Sequence, residues 1–173
     1  MRDEEAINQL MLIHTSLLFR IAYYYTKNLH TAEDIVQDVF IKFFQMDIPL
    51  AEHEVKPYLL KMTANKAKDY LKSWHYRKLI LQEKWFLHKT MTEKDALVQQ
   101  DEEEEISKAI LSLPLKQRES IAYYYLEGLN IKEIASLLQV PDSTVKSRLS
   151  KGRAQLKEKL KSIEWEVLLH ESI

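Results

Sequence analysis

The stretch NIKEIASLLQVPDSTVKSRLSKGR, residues 130–153, decides the fold. Asn130 stands three residues before Glu133, the spacing of a capping pair in which each side chain meets the other's backbone N–H. A short helix is predicted from Ile131 to Leu138, interrupted by Gln139-Val140-Pro141. A longer helix starts near Asp142-Ser143-Thr144, with an apolar stripe at Val145, Leu149, Gly152, Leu156 and Leu160. Gly152 on that stripe costs about 1 kcal/mol of helix propensity, which close approach by another helix would justify. Helix, tight turn, helix is the layout whose second member offers its N-terminal residues to a DNA major groove. Ser143, Thr144, Lys146, Ser147, Ser150 and Lys151 are the outward residues, with Arg148 and Arg153 at the flank. Hydroxyls at a helix start suit phosphates, and Lys and Arg reach phosphate or guanine edges. A plain helical hairpin in a bundle would show the same periodicity.

Working upstream, Ile106, Ile110, Leu111 and Leu113 precede Pro114, and a helix runs through Tyr123-Tyr124-Tyr125 to Gly128, where a left-handed helix end is cheap. Before that, residues 93–105 carry Glu93, Asp95 and Asp101 to Glu105 against Lys94 alone, which reads as a solvated tether. Further back, Thr31 and Asp34 have capping-box spacing. They open a helix with a broad apolar face at Ile35, Val36, Val39, Phe40, Phe43 and Phe44. Pro57 is expected at a first helical position. The stripe that follows is Leu59, Leu60, Thr63, Ala67, Tyr70, Leu71 and Trp74. One pentapeptide occurs twice, as Ile21-Ala22-Tyr23-Tyr24-Tyr25 and Ile121-Ala122-Tyr123-Tyr124-Tyr125, each ahead of a turn and a capped helix. Two copies so far apart are no solenoid, and read as one helix-packing solution used twice.

The fold class is therefore all-α: two small helical domains joined by an acidic linker, the second a helix-turn-helix domain. Only 2 of the 173 residues are glycine and none is cysteine. This disfavours turn-rich sheets and excludes a disulfide framework, a thiolate zinc site and a cysteine nucleophile. The formal net charge is -1, from 25 Lys+Arg and 26 Asp+Glu, and taken whole it argues against nucleic acid. Taken by segment it does not. From Lys56 to Lys78 the basic residues outnumber Asp69 seven to one, and from Asp142 to Lys161 they outnumber Asp142 and Glu158 seven to two.

In the first basic segment Lys61, Asn65, Lys68 and Lys72 are spaced to share one solvent-facing helix face. Trp74, His75, Tyr76, Arg77 and Lys78 follow, rings interleaved with cations. Backbone-tracking cations with stacking rings are what a single strand requires. A solvated lysine face beside core aromatics is the plainer reading of the same residues. Catalysis finds little support. The six histidines form no i,i+4 metal pair, the Asp101–Glu105 run lacks the glycine of a calcium loop, and no phosphate-binding glycine loop exists. No enzyme activity, cofactor or metal is expected.

Three motifs in order are similar to one family: Ala32-Glu33-Asp34-Ile35-Val36-Gln37-Asp38-Val39-Phe40; the run from Tyr58 to Leu71 containing Asn65; and Leu113-Pro114 leading through Ile134-Ala135 to Ser143-Thr144-Val145-Lys146-Ser147-Arg148-Leu149. They resemble the extracytoplasmic-function (ECF) sigma factors of bacterial RNA polymerase, over about residues 10 to 160. The resemblance implies a first domain at 1–79 (region 2: core binding, −10 recognition and melting), a linker at 80–104, a second domain at 105–161 (region 4: −35 recognition) and a tail at 162–173. It implies that Asp34, Gln37 and Asp38 face the polymerase core. Tyr58, Lys61, Asn65, Lys68, Lys72, Trp74 and Arg77 would meet the −10 strand, with Asn65 helping to read a flipped base. Ser143, Thr144, Lys146, Ser147, Arg148 and Lys151 would meet the −35 duplex. Tyr58 stands where many members have Trp, and Lys72 where Arg is commoner, keeping the charge without the bidentate fork. An anti-sigma factor, often membrane-bound in that family, is an implied partner beside core polymerase and promoter DNA.

The alternative is a helix-turn-helix regulator that binds duplex DNA on its own; it leaves the Lys61/Asn65/Lys68/Lys72 face unexplained. The acidic start Met1 to Glu5, with no apolar run of signal or membrane-span length, leads us to expect a cytoplasmic protein without membrane insertion.

Overall fold

The computed structural model describes residues 4–46, 48–73, 77 and 102–160. The chain divides into two compact units, Met1–Ala96 and Leu97–Ile173. All regular structure among the described residues is helical. None of these helices is long and apolar enough to cross a membrane.

The first unit packs three helices, each against the other two: α1 (Glu4–Thr26), α2 (Leu29–Gln45) and α3 (Glu52–Lys72). Their apolar faces meet as the helical period requires. Leu18, Ile21, Ala22 and Tyr25 come from α1, and Ile35, Val36, Val39, Phe40 and Phe43 from α2. Val55, Leu59, Leu60, Ala64 and Ala67 complete the core from α3. Thr63, fully buried, donates its hydroxyl to the Leu59 carbonyl at 2.9 Å, so the core holds a satisfied polar group.

Two helix starts differ from expectation. The cap of α2 is Asn28, whose Oδ1 accepts the Thr31 N–H at 2.9 Å; Thr31 is itself the third helical residue. Both side chains qualify chemically, and the nearer fit to a left-handed Lys27 (φ 56°) sets the start at Asn28. Helix α3 begins at Glu52, so Pro57 lies in its interior instead of at its first position. Glu54 reaches back to accept the Ala51 N–H at 2.9 Å, which secures the helix end despite an alanine at the cap. The bond Pro57 omits falls in the second turn, where His53 is exposed to water.

The second unit holds α4 (Glu102–Ser112), α5 (Leu115–Ile121, continued by a π-turn over Ala122–Leu126), α6 (Ile131–Leu138) and α7 (Asp142–Lys159). Glu102 to Glu104, expected as the end of the linker, are already helical. The rest of that linker up to residue 101, and the tail 162–173, lie outside the described residues. Asn130 and Glu133 form the expected reciprocal cap, at 3.0 and 2.8 Å. Gln139 turns the chain between α6 and α7 in a left-handed conformation, φ 55°, without glycine.

The expected stripe of α7 is buried throughout: Val145, Leu149, Gly152, Leu156 and Leu160. It packs against α5, where Gly152 meets Ile121, and against α6. A Cβ placed on Gly152 would lie 2.7 Å from Ile121 Cγ1, so the predicted close approach is real.

The repeated pentapeptide folds in two ways. The first copy stays α-helical, and Lys27 N–H bonds Tyr23 O at 2.8 Å. In the second, Glu127 N–H bonds Ala122 O, five residues back, at 3.1 Å, and Leu129 N–H closes on Tyr123 O at 2.9 Å around Gly128 (φ 68°). Ile and Ala are buried in both copies; Tyr25 is the buried tyrosine of the first and Tyr123 of the second.

Gly152→Ala should lower stability by about 1–2 kcal/mol in urea denaturation, because overpacking against Ile121 outweighs about 1 kcal/mol of propensity gained. His14 gives a pH test. Burial first, and the Lys56 charge second, hold its pKa below the usual 6.5. Below that value the unfolded chain takes up a proton that the folded chain resists. Stability therefore is full above about pH 6.5 and falls as the pH drops from there towards the lower folded value. His14→Gln should flatten this part of a denaturation series measured from about pH 7.5 to 5.5.

Candidate nucleic-acid interface

Helix α3 presents the basic face. Asn65 and Lys72 are exposed, as is Arg77 beyond the helix end. Lys61 and Lys68 are half-buried, so the face is less open than its spacing suggested. Lys68 Nζ lies 5.6 Å from the centroid of the Tyr25 ring, a cation–π contact that draws the ammonium towards α1. Tyr58 is half-buried. Its ring is 6.0 Å from that of Phe43, and its hydroxyl donates to Met46 Sδ at 3.9 Å. Trp74 lies outside the described residues.

On α2 the face away from the phenylalanines carries Asp34, Gln37 and Asp38, all exposed. Asp38 Oδ2 pairs with Lys66 Nζ of α3 at 2.8 Å, with both side chains about half exposed. Ile41, 56% exposed, sits one turn beyond Asp38 on the same side. Neither Ile41 nor Lys66 was singled out from the sequence; the i, i+3, i+7 spacing from Asp34 would have found the isoleucine.

On α7, Ser143, Lys146, Ser147, Ser150 and Lys151 are exposed and Thr144 is half-buried. Arg148, expected at the flank, turns towards α5. Its Nη1 meets Glu119 Oε1 of α5 at 3.0 Å, and its side chain is only 15% exposed. Arg153 donates from Nη1 to the Tyr125 hydroxyl at 3.1 Å. The two helix starts here differ electrically. The amides of α6 are answered by Asn130, with Glu133 beside them, whereas Pro141 gives α7 no side-chain cap. The first-turn amides of α7 are thus left without a side-chain cap, beside Asp142, Ser143, Thr144 and Lys146. An open cleft beside it is lined by Tyr124, Asn130, Ile131, Lys132, Asp142 and Lys146.

Two polar faces on one helical unit and an uncapped, basic second helix on the other agree with what comparison finds. Residues 10–75 match Sigma-70 region 2 and residues 103–156 match Sigma-70 region 4. The chain belongs to the ECF sigma factors. This sigma factor is 26% identical over 172 residues to the ECF RNA polymerase sigma factor SigW of Bacillus subtilis, covering 93% of this chain and 92% of the relative. It is 27% identical over 153 residues to SigM of the same organism, covering 87% and 93%. The probable RNA polymerase sigma factor RfaY of Xanthomonas campestris is 28% identical over 163 residues, but the match spans only 41% of that longer protein. Among solved structures, RpoE from Bartonella quintana, in complex with the anti-sigma factor NepR, aligns with a TM-score of 0.66 at 23% identity, over 91% of this chain and 98% of that one. CnrH, in complex with the cytosolic domain of CnrY, aligns at 0.62 and 20%, over 92% and 90%. These two share the fold.

The Asp38–Lys66 pair of this sigma factor is exposed on both sides, so Lys66→Ala should change unfolding stability by less than about 1 kcal/mol. Thermal denaturation of the two proteins at low and high salt checks this.

Proposed function

We infer that the chain directs RNA polymerase core to specific promoters and assists their melting. Region 2 and region 4 in one chain, in that order, carry the inference. A regulator acting alone would explain the second unit and leave the first without a task. The role is one of binding: contacts to core polymerase and to duplex offset the unstacking of promoter bases, which costs a few kcal/mol per step.

The residues divide by task. Asp34, Gln37 and Asp38 dock on the polymerase core, a role supported by their exposure on the face of α2 opposite its phenylalanines. Lys61, Lys68, Lys72 and Arg77 follow the backbone of the −10 strand, Asn65 reads a base extruded from it, and Tyr58 and Trp74 supply rings. Ser143, Thr144, Lys146, Ser147 and Lys151 meet the −35 duplex from the start of α7. The domain limits we propose are 1–79, a linker at 80–104, 105–161 and a tail at 162–173. One solved neighbour was captured with an anti-sigma factor, NepR, which supports a protein of that kind as a further partner here. A polymerase subunit of this type works in the cytoplasm, without cofactor or catalytic residue of its own.

Run-off transcription with purified core enzyme and a promoter library tests the reading; no specific transcript from any template sinks it. Lys146→Ala should weaken −35 recognition and reduce the salt dependence of promoter binding by about one phosphate contact. Asn65→Ala should shift base preference within the melted region instead. A change confined to duplex affinity would remove the −10 role of Asn65.

A further inference from the structure

Arg148 sits among the residues assigned to the duplex and reaches the other way. Its Nη1 and Glu119 Oε1 are 3.0 Å apart, with side chains 15% and 4% exposed. Arg118, the neighbour of Glu119 on α5, donates from Nη1 to the carbonyls of Leu111 and Leu113, at 3.0 and 3.3 Å, where α4 ends. Two adjacent residues of opposite charge thus let α5 hold α4 with one and α7 with the other. Further along α7, Gly152 lies against Ile121 and Arg153 donates to Tyr125. Positions 148 and 153 lie about 140° apart around α7, flanking the buried stripe that carries Gly152. Lys146, Ser147, Ser150 and Lys151 stay exposed. Turning α7 about its axis by one residue would break all three attachments and re-aim every exposed side chain.

We propose that Arg148 is a positioning residue: through Glu119 it sets the rotation of α7, and it makes no contact with DNA. This deepens the sigma-factor reading and rests on it. The reading surface over residues 142–152 then holds lysines and hydroxyls and no guanidinium, since Arg148 is the only arginine in that span. Lysine brings a point charge where arginine would bring a planar fork, so this surface relies on single contacts.

The test uses the full chain with core polymerase on promoters varied in the upstream duplex, across a salt series. Arg148→Met should lose about tenfold in discrimination between preferred and altered upstream elements, the size of one lost base contact. Its salt dependence should match that of the unaltered protein, since no phosphate contact is removed. The double variant Glu119→Leu/Arg148→Met removes both charges of the pair together and should recover most of the discrimination. In thermal unfolding of the chain alone, the two substitutions should be strongly non-additive, with the double variant more stable than either single one. Should Arg148→Met fail to fold, the double variant decides alone. A double variant as defective as the single one, with the salt slope reduced by about one in both, means that Arg148 grips a phosphate and overturns the proposal. Unchanged discrimination in Arg148→Met overturns it too. Failure of the unaltered chain to start any specific transcript removes the sigma reading instead, while additive unfolding effects would still refute the pairing.

Discussion

The missing Cβ of Gly152 governs the second unit. Ile121 occupies the space that a side chain there would take, and α7 comes close enough to α5 for everything else to follow. Arg148 can then reach Glu119, Arg153 can reach Tyr125, and the Val145–Leu160 stripe is sealed. A helical glycine costs about 1 kcal/mol relative to alanine, whereas each fully buried large apolar side chain contributes about 1.5–3 kcal/mol. Packing decides the residue at this position, and the same packing decides which side of α7 is left for a partner.

The first unit obeys a simpler constraint. The apolar residues of α2 from Ile35 to Phe43 must face α1 and α3, which leaves Asp34, Gln37 and Asp38 on the outside. The period of α3 buries Leu59, Thr63 and Ala67 and turns Asn65 and Lys72 outward. Core geometry therefore sorts charge into separate faces. A near-zero sum over the chain conceals an acidic face and basic ones, each available to a partner of opposite sign.

The stripe of α7 and the Asn130–Glu133 cap were legible in the sequence, because each depends on fixed spacing within one helix. Where two local solutions compete, spacing does not choose: Asn28 and Thr31 are both good caps, and the left-handed Lys27 settles it. Pro57 was misplaced because proline favours a first turn yet is tolerated in an exposed second one. Gln139 gave no sign of its left-handed turn, which glycine would have announced. The candidate site was legible to the level of the helix face and no further. Arg148 falls at the edge of the outward arc, and a long side chain there swings to whichever neighbour offers a charge. That neighbour, Glu119, is 29 residues away in sequence. The half-burial of Lys68 has the same origin, in the Tyr25 ring of another helix.

The pentapeptide that folds once as α and once as π shows where this architecture keeps slack. After Ile21 the left-handed residue comes six positions on, at Lys27; after Ile121 it comes seven positions on, at Gly128. The π-turn absorbs that extra residue, so the buried Ile-Ala pair and the exit from the helix can both stay in place. Lengthening or shortening the chain by one residue here would have to be taken up by winding or unwinding that turn. Otherwise the chain beyond would leave α5 rotated by about 100°. Loop length between Tyr125 and Asn130 is in this sense an aiming device for the helix pair that follows it.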